Sequence, residues 1–289
     1  LEIVVRSVRI DAFIASATSI SAGGSIDLSW STSGDGVVTL QGPGLPPGPF
    51  VEVSDVPFED ISAVGVTILP DWAAEPDALV LVDFPTDFAF PYFGEEYSQV
   101  VVSGVGYLSF NPSVSGYKWD YTILPNVQEP DVHLAVFWAD LDVAYISGQG
   151  IYGVFVPGPD PHVIIQWKHW SSFWASGDMN FQVVLYESGA VEYRYGVMYT
   201  GDATAEGGYA TIGLQAPGGA VGSLLHHSVS SSNTFPGGFV NRSWRWNPAI
   251  EVPGDSSTQV SPTKSGNYTL CIDDGFYEEC ETIWVEVLP

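Results

Sequence analysis

The sequence predicts an all-β fold: a small β-sandwich split in two along the chain, with a larger β-rich domain inserted between its halves. Three observations carry this. Apolar and polar residues alternate over short runs, the period of a half-buried strand. The runs are bounded by turn residues, with 31 Gly and 21 Pro spread along the 289 residues. No stretch of useful length shows the 3.6-residue period, so no substantial helix is expected. Hydrophobic residues make up 45% of the chain, enough for a sizeable core at a length that suits two domains.

The first element is "GGSIDLSWSTSGDG" (23–36), where Ile26, Leu28 and Trp30 alternate with Asp27 and Ser29. One row faces a core and the other faces water. A sandwich needs about seven strands, yet "VVTLQGPG" (37–44) runs into a Pro/Gly-rich passage and the expected strands do not follow. They lie at the other end, in "STQVSPTKSGNYTLCIDDGFYEECETIWVEVLP" (257–289). There Tyr268, Leu270 and Ile272 alternate inward on one strand, and Ile283, Val285 and Val287 on the next. The pieces "FIASATSISAGGSIDLSWSTSG" and "TQVSPTKSGNYTLCI" resemble the two ends of bacterial immunoglobulin-like domains that occur in repeats on secreted proteins. The resemblance covers residues 8–42 and 256–288. The expected domains are therefore 1–42 with 255–289, a split immunoglobulin-like sandwich, and 43–254, the insert. Surface loops that bring two chain ends together accept such insertions.

The chain has two cysteines, Cys271 and Cys280, in "CIDDGFYEEC". If Gly275-Phe276 is a two-residue hairpin loop with Gly first, Asp274 faces Tyr277 and, counting outward, Cys271 faces Cys280. That pair is of the non-hydrogen-bonded kind, with Cα atoms about 4.5 Å apart, inside the disulfide range. A Cys271–Cys280 disulfide is expected, closing one hairpin and pointing away from the core. It implies an oxidising compartment.

The insert is strand-rich as well. "ALVLVDF", "SQVVVSGVGYLSF", "GIYGVFV", "HVIIQWKHW", "NFQVVLYE", "AVEYRYGVM" and "YATIGLQA" combine β-branched and aromatic residues with turn signals between them. "LYESGAVEYRY" (185–195) reads as a hairpin turning at Ser188-Gly189. The fragments "FEDISAVGVTIL", "FAFPYFGEEYSQVVVSGVGYLSF", "LAVFWADLDV", "GIYGVFV", "NFQVVLYESGAVEYRYG" and "ATIGLQ" follow in an order that resembles the nidogen-type extracellular domain and its bacterial relatives. Two positions depart from that family's pattern: Val105 stands where Asn is usual, and Val136 where Pro is usual. The resemblance implies a non-catalytic, extracellular β-rich module of matrix, adhesion and surface proteins.

Charge narrows the partners. Thirty-four acidic residues against 8 basic give a formal net charge of −26, which repels phosphate backbones and anionic lipid. Nucleic acid is excluded as a partner. No apolar run reaches the ~18 residues of a membrane span, since "VHLAVFWADLDVAYI" (132–146) is broken by Asp140 and Asp142. Those two aspartates, spaced i and i+2, are the candidate metal ligands, with calcium as the ion. The competing reading is carboxylates accepting backbone hydrogen bonds at a strand end. No other cofactor is expected.

Trp170 and Trp174 in "QWKHWSSFW", and Trp284 near the C-terminal end, are the candidate glycan or partner contacts. On a regular strand Trp167 and Trp170 point opposite ways, so core packing competes with a sugar platform. Trp244 and Trp246 share one face and read as core. His226 and His227, being adjacent, do not chelate one metal together on a strand. There is no G-x-S-x-G, no H-E-x-x-H and no phosphate-binding Gly loop, so no enzyme activity and no catalytic residue is expected. Asn241-Arg-Ser and Asn267-Tyr-Thr match the N-glycosylation pattern, which in a bacterium arises mostly by chance.

"LEIVVRS" (1–7) precedes the sandwich, and Leu1, Ile3 and Val5 alternate as in a strand. It is a candidate assembly strand, pairing with a neighbour's sheet edge; the competing reading is that it lengthens its own domain's first strand. The expected function is a non-enzymatic structural or adhesive protein outside a bacterial cell or on its surface. Its partners are other subunits, in a filament or tandem array, or matrix and surface components. The alternative is a glycan-binding accessory module of a secreted hydrolase.

Overall fold

The computed structural model describes residues 8–54, 56–70, 77–116, 118–173, 175–199 and 201–289, with the backbone alone at 175 and 176. The described residues form 24 strands in five sheets and no helix. They divide into two compact units. The terminal unit draws on both ends of the chain, up to Gly48 and from Pro248 to Pro289; the central unit is Pro49–Asn247.

The terminal unit holds β1 (Arg9–Ala15), β2 (Ser19–Ser21), β3 (Ile26–Ser33) and β4 (Val37–Gln41) from the first segment. The last segment adds β21 (Ile250–Val252), β22 (Ser256–Val260), β23 (Gly266–Asp273) and β24 (Glu278–Leu288). They make a three-stranded sheet, β1-β3-β22, and a five-stranded sheet, β2-β24-β23-β4-β21. Both sheets feed one core, with Phe13, Leu28 and Trp30 from the first and Leu40, Leu270 and Val285 from the second. The period-two pattern is the cause: Ile26, Leu28 and Trp30 are buried while Asp27 and Ser29 between them are exposed. Trp30 caps the arrangement, its Nε1 donating to the Pro253 carbonyl at 2.8 Å.

This unit reaches further along the chain than residues 42 and 255. Leu45 packs against its core, and β21 pairs with β4 so that Ile250 and Val252 pack there too.

The central unit carries β5 (Val51–Val53), β6 (Val66–Leu69), β7 (Leu79–Asp83), β8 (Phe90–Tyr92) and β9 (Glu95–Tyr97). Next come β10 (Gln99–Ser103), β11 (Tyr107–Ser109), β12 (Leu134–Ala139), β13 (Leu141–Val143), β14 (Gly150–Val156) and β15 (His162–Ser172). It closes with β16 (Ala175–Tyr186), β17 (Val191–Met198), β18 (Ala210–Gln215), β19 (Gly222–His227) and β20 (Arg242–Trp246). A six-stranded sheet, β19-β18-β12-β11-β10-β7, and a larger one, β5-β20-β17-β16-β15-β14-β6 with β13 beside β15, share the main core. That core is aromatic-rich: Phe137, Trp167, Trp170, Phe181 and Tyr195 are all fully buried. Gly106 fixes the β10–β11 turn. Its φ is 81°, and a Cβ there would sit 2.1 Å from the Phe137 carbonyl oxygen. Val105, the departure from the family's usual Asn, is buried beside it in a small second core with Tyr107 and Trp138.

Candidate functional site

The outward faces of the sheets decide what the molecule offers to a partner. In the central unit both are covered over much of their area, although Leu81 at the edge strand stays half exposed. The segment around residues 56–62 runs across the larger sheet, tied down by side chains on its outward face. Ser243 Oγ donates to the Val56 carbonyl at 2.9 Å, and Gln182 Nε2 to the Glu59 carbonyl at 2.6 Å. Ile61 N–H donates to Gln166 Oε1 at 2.8 Å. Lys168 Nζ reaches Asp60 Oδ2 at 2.7 Å, and Gln166 Nε2 reaches Oδ1 at 2.9 Å. Burial pushes the Asp60 carboxyl up, but the hydrogen bonds from Lys168, Ser62 and Gln166 outweigh it and hold the group well below the usual carboxylate range. Polar residues on alternate positions are thus covered by backbone that needs partners.

Beside this segment, Glu192 is fully buried and pairs with two cations. Arg194 Nε donates to its Oε1 at 2.5 Å, and Arg245 Nη2 to its Oε2 at 2.6 Å. The Arg245 guanidinium lies 5.2 Å from the Tyr186 ring centroid. The six-stranded sheet is covered by residues 118–131, where Leu124 and Tyr121 pack over Tyr107 and Trp138. Trp138 Nε1 donates to the Lys118 carbonyl at 2.7 Å, and Thr211 Oγ1 to the Thr122 carbonyl at 2.9 Å.

The terminal unit differs. Because Tyr268, Leu270 and Ile272 face inward, Asn267, Thr269 and Cys271 face outward on β23. On β24, Val285 is inward and Cys280, Thr282 and Trp284 are exposed. Cys271 and Cys280 are joined across this face, in direct register with Cα atoms 4.1 Å apart. Gly275, at φ 84°, takes the first turn position, and the Asp274 carboxylate accepts the amides of Phe276 and Tyr277. Trp284 is 56% exposed.

Of the other candidate contacts, Trp170 is a correction. It is fully buried in the main core, its Nε1 directed at the Gly150 carbonyl 3.4 Å away. The cause is a bulge: Trp167 pairs with Phe181 and Trp170 with Met179, three residues against two, with His169 at φ 58° between them. The extra residue turns Trp170 to the same side as Trp167. Trp174 lies outside the described residues, as do Leu1, Ile3 and Val5.

Asp140 and Asp142 flank the step from β12 to β13. Asp142 Oδ1 accepts its neighbour Val143 N–H at 2.7 Å, and the Asp140 carbonyl accepts Phe173 N–H at 2.9 Å. They do not fall in a metal-sized cluster of donors; among the described residues that spacing occurs at Cys271, Glu278 and Cys280, whose sulfurs are spent in the disulfide.

A surface groove of about 590 Å³ is floored by Phe84 and Phe88 and rimmed by Asp83, Asp87, Glu96 and Glu187. Most of its lining comes from "DFPTDFAFP" (83–91), a stretch with no binding motif in the sequence.

Three of the histidines, His133, His226 and His227, hold neighbouring segments by hydrogen bonds. Thr211 Oγ1 gives its proton to the Thr122 carbonyl, so His227 Nδ1, 2.8 Å away, is the donor in their contact and no base for the hydroxyl. His226 Nε2 donates to the Gly207 carbonyl at 2.7 Å. His133 accepts Phe110 N–H on Nδ1 at 2.7 Å, which places its proton on Nε2. Burial pushes His133 down to about 4, against the opposing charge of Asp131.

The NIDO-related family matches residues 52–244, more than half of the 289 residues. The chain belongs to the NIDO-related family. That family is one of non-catalytic structural domains, and a nidogen-related domain suggests an extracellular setting. No curated protein and no solved structure matches the chain. No helix among the described residues is long and apolar enough to cross a membrane.

Proposed function

We propose that this chain is an extracellular structural or adhesive module. In this reading a NIDO-related domain is carried within a split immunoglobulin-like sandwich. The observation that carries it is the family match over residues 52–244, which spans the central unit. The chemistry fits. The fully buried carboxylate of the central unit, Glu192, is held between Arg194 and Arg245, a use that favours rigidity over turnover. The surface is acidic and suits protein or matrix partners over nucleic acid. No cofactor is required. A glycan-binding accessory module is the weaker reading, because burial of Trp170 removes one of its aromatic contacts.

Leu1–Ser7 supplies the assembly strand in this proposal, pairing with a sheet edge of a neighbouring subunit. The test compares the intact chain with one lacking residues 1–7, by mass in solution at high concentration and negative-stain microscopy. The expected result is higher-order species from the intact chain and a folded monomer from the truncated one. A strictly monomeric intact chain would overturn self-assembly.

A further inference from the structure

Two N-glycosylation patterns, Asn241-Arg242-Ser243 and Asn267-Tyr268-Thr269, play no part in the function above, and the structure treats them differently. Asn241 is exposed at a turn with φ 54°, but its Ser243 is buried, with the hydroxyl donated to the Val56 carbonyl. Asn267 lies on the outward face of the five-stranded sheet and is exposed. Directly across from it in the β23–β24 register stands Trp284.

That Trp is conspicuous in its setting. Its neighbours on the face are Asn267, Thr282 and Glu286, and Thr282 Oγ1 lies 3.0 Å from Thr269 Oγ1. The indole is thus a broad apolar surface among polar groups, 56% exposed. Side chains directly opposite on one face have Cβ atoms about 4.5–5.5 Å apart. A sugar linked to the Asn267 amide starts beside the indole. The C–H face of its ring then has an aromatic surface to lie on, with the hydroxyls left in water.

We propose that Asn267 is an N-glycosylation site and that Trp284 is the platform for its first sugar, so that the glycan covers the outward face of the five-stranded sheet. In the attachment step Asn267 Nδ2 bonds to the anomeric carbon of a lipid-pyrophosphate-linked oligosaccharide. The bond from that carbon to the pyrophosphate oxygen breaks, the lipid pyrophosphate leaves, and the amide proton passes to a base of the transferase. Attachment takes place on the far side of a membrane, so the inference rests on the extracellular reading; against the expectation that such matches in a bacterium are chance stands the exposed Asn267 with an aromatic side chain directly across from it.

The test is peptide mass spectrometry on the full chain from its source cells and their surroundings. The expected result is an Asn267 peptide heavier by an oligosaccharide, converted to Asp on enzymatic release, with the added mass lost in Asn267→Gln. Trp284→Ala should lower the unfolding temperature of the terminal unit by about 4–8 °C in the glycosylated chain and by half that or less in the deglycosylated chain. An exported chain with Asn267 wholly unmodified would overturn the glycan and leave the extracellular reading standing. A chain found only inside cells would overturn both. An equal effect of Trp284→Ala with and without the glycan would overturn the platform.

Discussion

The sheets of the central unit and the five-stranded sheet of the terminal unit treat their outward faces in opposite ways. In the central unit, segments distant in sequence lie over both faces, and even the carboxylate of Glu192 has no exposure. In the terminal unit, strand parity alone sets what is seen, and Trp284, Thr282 and Cys280 remain exposed. The difference shows where each unit keeps its specificity. The central unit spends its polar side chains on itself, in the Gln166, Gln182 and Ser243 contacts, which makes a rigid body. The terminal unit keeps its polar and aromatic side chains available, which makes a surface.

The contrast is sharpest between two tryptophans. Trp170→Ala should destabilise the central unit by about 3–5 kcal/mol, as for a large core side chain cut to a methyl group. Chemical denaturation followed by fluorescence measures it. A loss below ~1 kcal/mol would mean that Trp170 is not the core residue its burial makes it.

Acid should distinguish the units next. All five histidines lie between residues 133 and 227, in the central unit. His133 is held at about 4 against an ordinary 6.5, so as pH falls the unfolded chain takes up the proton first. Its contribution is complete above pH 6.5 and is lost progressively down to about pH 4. The full loss is about 3 kcal/mol. Denaturation of the intact chain and of His133→Gln at pH 7 and pH 4.5 tests this: the pH-dependent loss should shrink in the variant.

Reduction of Cys271–Cys280 should act on the terminal unit alone and modestly. The closed loop is short, with a sequence separation of 9, so the stabilisation is at most ~2–3 kcal/mol. Unfolded, unreduced protein should show no free thiol on titration. The smallest effect belongs to Trp284→Ala in the unglycosylated chain, within about 0.5 kcal/mol, as expected of an exposed side chain.

Much of this contrast was legible in the sequence. Where parity runs unbroken, as from Gly266 to Leu288, the alternation assigned every face, and the Gly275 turn set the register that brings Cys271 to Cys280. Parity failed at Trp170 because the bulge at His169 adds a residue, and His, although it tolerates a positive φ better than most side chains, does not by itself mark a bulge. The sealing segment was invisible for another reason. Gln166 and Gln182 alternate with apolar residues as solvent-facing positions do, and the backbone that covers them comes from Glu59 and Ile61, over a hundred positions away. The place of Leu45 and β21 in the terminal unit was not legible, because β21 is only three residues long, lies between Pro248 and Pro253, and carries no strand signal of its own.

The central claim is that the two chain ends make one domain independent of what lies between them. The most direct measurement is thermal unfolding, by circular dichroism, of a chain in which Gly48 is joined to Pro248 by a short Gly/Ser linker. The account predicts a soluble β domain with a single cooperative transition and the Cys271–Cys280 bond formed. An unfolded product, under conditions where the full chain is folded, would contradict it.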